Sequence, residues 1–136
     1  MIKTIIPSEH EEQEVVVQYA TVKNVPLFAI PNGTWLSGDC KIRCMQMNKL
    51  KKEGLVNGIP DLMIPVPTRN FAGLFIEMKR TKNYKLSKIQ KDKMEKLSIL
   101  KYKVVLAIGG NEAIKEINNY LKDCENEDYK KVNWYK

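Results

Sequence analysis

The chain has 136 residues, 43% of them hydrophobic and 29% charged, which suits one globular domain. No apolar run approaches the ~18 residues needed to cross a membrane, and residues 1–7 lack the apolar core of a signal peptide. Three cysteines, an odd number, argue against a disulfide scaffold, so a cytoplasmic address is expected. The net charge is +7, and residues 77–103 alone hold ten Lys and Arg against three Asp and Glu, a balance of +7. A basic excess gathered in one stretch attracts polyanions, although a solvated lysine-rich helix face would look the same.

In chain order, the first element begins at Ser8, where Ser8-Glu9-His10-Glu11 fits a capping box. A helix follows to about residue 22, with Glu9, Glu12, Val16 and Tyr19 on one face. Residues 26–30 read as a short strand closed by Pro31-Asn32-Gly33. Residues 39–53 read as a second helix ended by Gly54, with Cys40, Cys44 and Met47 on one side; the two cysteines are expected to be small core residues, since no second pair of zinc ligands is visible. A turn over residues 58–61 leads into the strand Leu62-Met63-Ile64, which Pro65 and Pro67 end. Residues 73–79 form the next strand, with Leu74, Ile76 and Met78 on one face and Phe75, Glu77 and Lys79 on the other.

Ser87 can cap a third helix whose inner face is expected to be Ile89, Met94, Leu97 and Leu100. Residues 103–108 are a buried strand stopped by Gly109-Gly110, and residues 112–122 a last helix showing Ile114, Ile117 and Leu121. The last fourteen residues are polar with late aromatics and carry no pattern that places them. Strand–helix–strand over residues 73–108 implies two parallel strands with a right-handed crossover. The whole order implies an α/β fold, a mixed sheet flanked by helices.

The residues with chemistry are Asp61, at the mouth of one strand, and Glu77 and Lys79, on one face of the next. If the strands pair, the two carboxylates converge into a hard oxygen site of the kind magnesium prefers. Glu77 interrupts an apolar strand, which is costly for a carboxylate unless it is paired or bound to metal. A Glu77–Lys79 ion pair at a strand end is the plain alternative. What weighs against it is the combination of Pro60-Asp61, a strand, and Glu77-Met78-Lys79 sixteen residues after Asp61. That is the PD-(D/E)xK nuclease signature, with the strand context such a motif requires.

The flanks narrow the resemblance. Gly58-Ile59-Pro60-Asp61-Leu62, Phe75-Ile76-Glu77-Met78-Lys79 and Leu86-Ser87-Lys88-Ile89-Gln90-Lys91 resemble a stand-alone VRR-NUC domain of the phage and bacterial type. The glutamate-rich first helix, Pro31-Asn32-Gly33 and Leu50-Lys51-Lys52-Glu53-Gly54 fit too, and the similarity covers about residues 8–121. The resemblance implies a restriction-endonuclease-like αβββαβ core with an added helix. It further implies that Asp61, Glu77 and the Met78 carbonyl hold Mg2+, with Mn2+ as a substitute, and that Lys79 and Gln90 complete the catalytic group. A first-helix glutamate belongs to that site; Glu12 is the first choice and Glu9 the reserve.

Small members of this branch resemble Holliday junction resolvases, which implies a homodimeric endonuclease acting on branched DNA. Arg80, Lys82, Lys85, Lys88 and Lys91 follow the motif, where they could grip the DNA backbone; Lys41, Arg43, Lys49, Lys51 and Lys52 could extend the same groove. Neither a membrane nor a small organic cofactor is implied. Two alternatives stay open: a non-catalytic DNA-binding module with the same fold, and a regulatory subunit whose basic stretch meets an acidic protein.

Overall fold

The computed structural model describes residues 5–31, 36, 38–124 and 127–136. Its elements follow the predicted order: α1 (Glu9–Val22), β1 (Phe28–Ala29), α2 (Cys40–Lys52), β2 (Leu62–Ile64), β3 (Leu74–Lys79), α3 (Lys88–Ile99), β4 (Lys103–Ile108) and α4 (Gly110–Leu121). A 3-10 turn over Asp128–Lys131 follows. The chain is a mixed α/β fold with a four-stranded sheet in the order β1-β2-β3-β4. The β1/β2 and β2/β3 pairs are antiparallel, and β3/β4 is parallel, as the intervening α3 crossover requires. No helix among the described residues is long and apolar enough to cross a membrane.

The alternation in β3 sorts the two faces of the sheet. Leu74, Ile76 and Met78 are fully buried and share one core with Leu62, Ile64 and Ala107 of the neighbouring strands and with Val16, Ala20, Ala113 and Ile117 of α1 and α4. Burying each large aliphatic side chain contributes about 1.5–3 kcal/mol. Helices α1 and α4 cross closely because Gly110 has no side chain; a Cβ there would meet the Glu12 carbonyl oxygen at 2.9 Å. The opposite face carries Phe75, packed edge-on against Tyr102 at 5.1 Å between ring centroids, and Glu77.

Two expectations need correction, and one segment left unplaced finds its position. The inward side of α3 is Gln90, Lys93, Met94 and Leu97, whereas Ile89 and Leu100 are exposed. The helix is rotated so that its first inward residue is polar and reaches Glu77. Cys40 and Cys44 are exposed rather than part of the core, because α2 buries no residue fully and turns Gln46, Met47 and Leu50 inward instead. The C-terminal residues, which no pattern could place, dock on the β1 edge: Trp134 Nε1 donates to the Leu27 carbonyl at 3.2 Å and the Tyr135 hydroxyl to the Val25 carbonyl at 2.7 Å. Trp134 also stacks on Phe28. Of the expected turn Pro31-Asn32-Gly33, Asn32 and Gly33 lie outside the described residues.

Candidate active site

The β2/β3 register builds the site. Leu62 pairs with Ile76 and Met63 with Phe75, so Asp61, one residue before β2, falls opposite Glu77 on the same face. Asp61 is held from both sides. Its carbonyl accepts from the Ile30 amide at 2.8 Å, and its Oδ2 accepts from the Met78 amide at 2.8 Å. The second bond exists because β2 starts only at Leu62, leaving the Met78 amide without a backbone partner there. In a strand, the N–H and C=O of one residue point to the same edge, so the Met78 carbonyl also faces the Asp61 side. Consistent with this, the neighbouring Lys79 carbonyl faces β4 and accepts from Gly109 at 2.9 Å.

Glu77 is 3% exposed, yet it is not orphaned. Its Oε1 accepts from Gln90 Nε2 at 2.9 Å and lies 3.5 Å from the Lys79 ammonium. Gln90 is itself fixed by the start of α3, where Ser87 and Gln90 form a reciprocal capping box: Gln90 Oε1 accepts from the Ser87 amide at 3.0 Å. One glutamine thus ties the helix terminus to the strand carboxylate. Asp61 Oδ1 and Glu77 Oε2 accept no hydrogen bond from any described residue.

Burial and the neighbouring Asp61 push the Glu77 carboxyl up to about 7, against the pull of Lys79. Burial also raises Asp61, with the Met78 amide and Lys79 acting the other way. Glu9 is raised by burial and by the Asp61 charge, with Lys79 opposing. Asp61 thus lifts both Glu77 and Glu9, and Glu9 adds to the rise at Glu77, so the three carboxyl groups sit in one electrostatic field with Lys79 as the opposing cation. The donors are hard oxygens, which fit a magnesium ion bound by two carboxylates and a carbonyl with water completing its shell. Among the described residues no three His, Cys, Asp or Glu side chains close into a ready-made metal cage.

The group lines a cleft of about 320 Å³ with Glu9, Asn57, Gly58, Ile59, Ser87 and Ile89 as its walls. Gly58 lets the 57–60 loop close against α3; its φ is +86°, and a Cβ would meet Ile89 Cγ2 at 2.6 Å. A larger, mostly apolar cavity of about 490 Å³ lies elsewhere, between residues 65–69 and the C-terminal segment, and holds none of these residues.

Of the expected site residues, the cleft brings together Asp61, Glu77, Lys79 and Gln90. It does not include Glu12. The Glu12 carboxylate turns instead to the start of α4, where it accepts from the Gly110 amide. That contact satisfies a helix start which has no side-chain cap of its own. Glu9, the reserve candidate, is the first-helix glutamate in the cleft. Arg80 is also diverted: its Nε donates to the Pro7 carbonyl at 3.0 Å and its Nη2 to the Ile6 carbonyl at 3.1 Å. The guanidinium thereby straps the segment that leads into α1 and delivers Glu9. Nothing in the sequence near Arg80 signals that task. Lys82, Lys85, Lys88 and Lys91 are exposed along the β3–α3 connection and the first turn of α3. His10 pairs with Glu14 at 2.8 Å on the exposed side of α1.

These placements separate the two glutamates experimentally. Glu9→Gln is expected to weaken divalent-metal affinity several-fold with little change in melting temperature. Arg80→Ala, by freeing the 5–8 segment, should show the same metal defect. Glu12→Gln should do the reverse, because it removes a charged helix cap, at a cost of about 1 kcal/mol. Metal titration by calorimetry beside thermal melts reads both. A Glu12→Gln variant with the larger metal defect would reverse the assignment.

No family model matches the sequence, and no curated protein does either. Among solved structures, the fold is similar to a "VRR_NUC domain protein", with a TM-score of 0.73 and 25% sequence identity. The match covers 90% of this chain and 93% of that one. Taken with the mixed sheet and the Asp61–Glu77–Lys79 cleft, this likeness gives the chain the fold of a VRR-NUC domain, a nuclease-type fold.

Proposed function

We propose that this chain is a magnesium-dependent DNA endonuclease that hydrolyses phosphodiester bonds in branched DNA as a homodimer. The observation that carries the reading is the convergence of Asp61, Glu77, Lys79 and Gln90 on one cleft, walled by the start of a lysine-bearing helix. Asp61 Oδ1, Glu77 Oε2 and the Met78 carbonyl would hold the ion, with Glu9 close enough to add charge or bind one of its waters. When bound, magnesium supplies a water of lowered pKa and neutralises charge developing on the phosphate oxygens.

The protein side chains do the remaining work. Lys79, next to Glu77, orients the attacking water and offsets charge on the five-coordinate phosphorus as it forms. Gln90 keeps Glu77 aimed at the cleft by holding Oε1, which leaves Oε2 for the cation. Lys82, Lys85, Lys88 and Lys91 hold the backbone beside the cut, a contact that positions DNA without reading bases. The described residues offer backbone-type contacts around one cleft, which supports recognition of shape over sequence. Cutting both strands at a branch needs two clefts, which supports a pair of chains.

The test is cleavage in magnesium of four-way junction, flap, linear duplex and single-stranded DNA of matched sequence. Preferential nicking of the branched forms is expected, with sedimentation giving a dimer. Binding to DNA without cutting of any form would instead favour a DNA-binding module of the same fold.

A further inference from the structure

Helix α2, like α3, buries no residue fully. Only Gln46, Met47 and Leu50 are half-buried, and together they mark its inner side. The helix holds Lys41, Arg43, Lys49, Lys51 and Lys52 and no acidic residue between its caps, Asp39 and Glu53. None of these five cations forms an ion pair with a described residue. At 100° per residue, Lys41, Lys49 and Lys52 fall on one stripe with Met45, on the side away from Gln46, Met47 and Leu50. The stripe runs about 16 Å along the axis at 1.5 Å per residue.

Charge decides what covers this face. A second copy would set two such stripes against each other, and like charges in contact repel; the exposed apolar groups, Ile42 and Met45, offer little area in compensation. A polyanion gains instead by releasing counterions. The chain also ties the stripe to the cleft. From Lys52 it is five residues to Asn57 in the cleft wall, a span of at most ~18 Å. On a duplex that is about five nucleotide steps of one strand.

We propose that α2 is a backbone clamp for duplex DNA, in which Lys41, Lys49 and Lys52 contact phosphates of the arm flanking the bond that is cut. The proposal rests on the nuclease reading above and adds to it a second contact surface, separate from the α3 lysines. On this proposal, bound DNA would add contacts to a helix that is only half-buried along its inner side.

The test measures binding to a duplex of about 30 base pairs by fluorescence anisotropy, in calcium, over a range of salt. Each lost phosphate contact lowers the slope of log K against log salt by about 0.9. Lys41→Gln, Lys49→Gln and Lys52→Gln together should lower it by between about 2 and 3, with at least a tenfold loss of affinity. The same three positions changed to arginine should keep the wild-type slope, which separates lost charge from a lost helix. A glutamine triple variant with the wild-type slope, in a protein that still cuts DNA, overturns the clamp and leaves the nuclease intact. Wild-type slope combined with loss of a dimer in sedimentation overturns it in favour of a second copy. A wild-type protein that neither binds nor cuts DNA overturns both readings.

Discussion

Lys79→Ala is expected to lower DNA cleavage by a factor of about 10² to 10³, while binding in calcium changes by less than about threefold. The ammonium sits beside Glu77 with its side chain only 13% exposed, where charge is poorly screened and aimed at one place. On the proposed reading its removal would delete transition-state stabilisation and leave untouched the exposed lysines proposed to hold the substrate. Asp61→Asn should be as severe, for two reasons. The amide is a weak ligand for a hard cation, and Asp61 also accepts from the Met78 amide, so a misoriented carboxamide would present a donor to a donor. Single-turnover cleavage of a four-way junction, run beside anisotropy in calcium, checks both. Equal rates for wild type and Lys79→Ala would remove Lys79 from the reaction.

The second large effect is a coupling between protons and metal at Glu77. Its folded carboxyl titrates near 7, well above the ordinary 4.5. A folded pKa raised above the unfolded one means the fold favours the neutral form. The stability this group contributes is therefore full below pH 4.5 and is lost as pH rises through about 7. A divalent cation binds the ionised form, so below that point it must displace a proton. Magnesium affinity should climb by up to about tenfold per pH unit towards 7 and flatten above it. Magnesium-induced thermal stabilisation should consequently be larger at pH 8 than at pH 6. In Glu77→Gln, both the fall in metal-free stability between pH 5 and 7 and the magnesium response should disappear. A metal affinity that does not change between pH 6 and 8 would contradict this account.

Much of the frame is legible in the residue order because it rests on local rules. Ser8 and Ser87, each followed three residues later by a side chain that can reach back, mark two helix starts, and both capping boxes form. The alternation of Leu74 to Lys79 sorts core from cleft, and the Asp61-to-Glu77 spacing brings two carboxylates opposite each other once β2 and β3 pair. Glu77 betrayed itself as a charge inside an apolar strand.

What residue order could not decide is where a side chain goes once several elements compete for it. Glu9 and Glu12 lie on the same face of α1 by periodicity, yet one enters the cleft and the other caps α4. The difference is set by where α4 begins, about a hundred residues away in the chain. Arg80 reads as one more cation in a basic run, but two carbonyls of the segment before α1 claim it. The rotation of α3, the exposure of Cys40 and Cys44, and the docking of Trp134 and Tyr135 on the β1 edge follow the same logic. Helix ends, strand alternation and motif spacing depend on neighbours within a few residues. The partner of a long polar side chain depends on which distant surface folding brings within its reach.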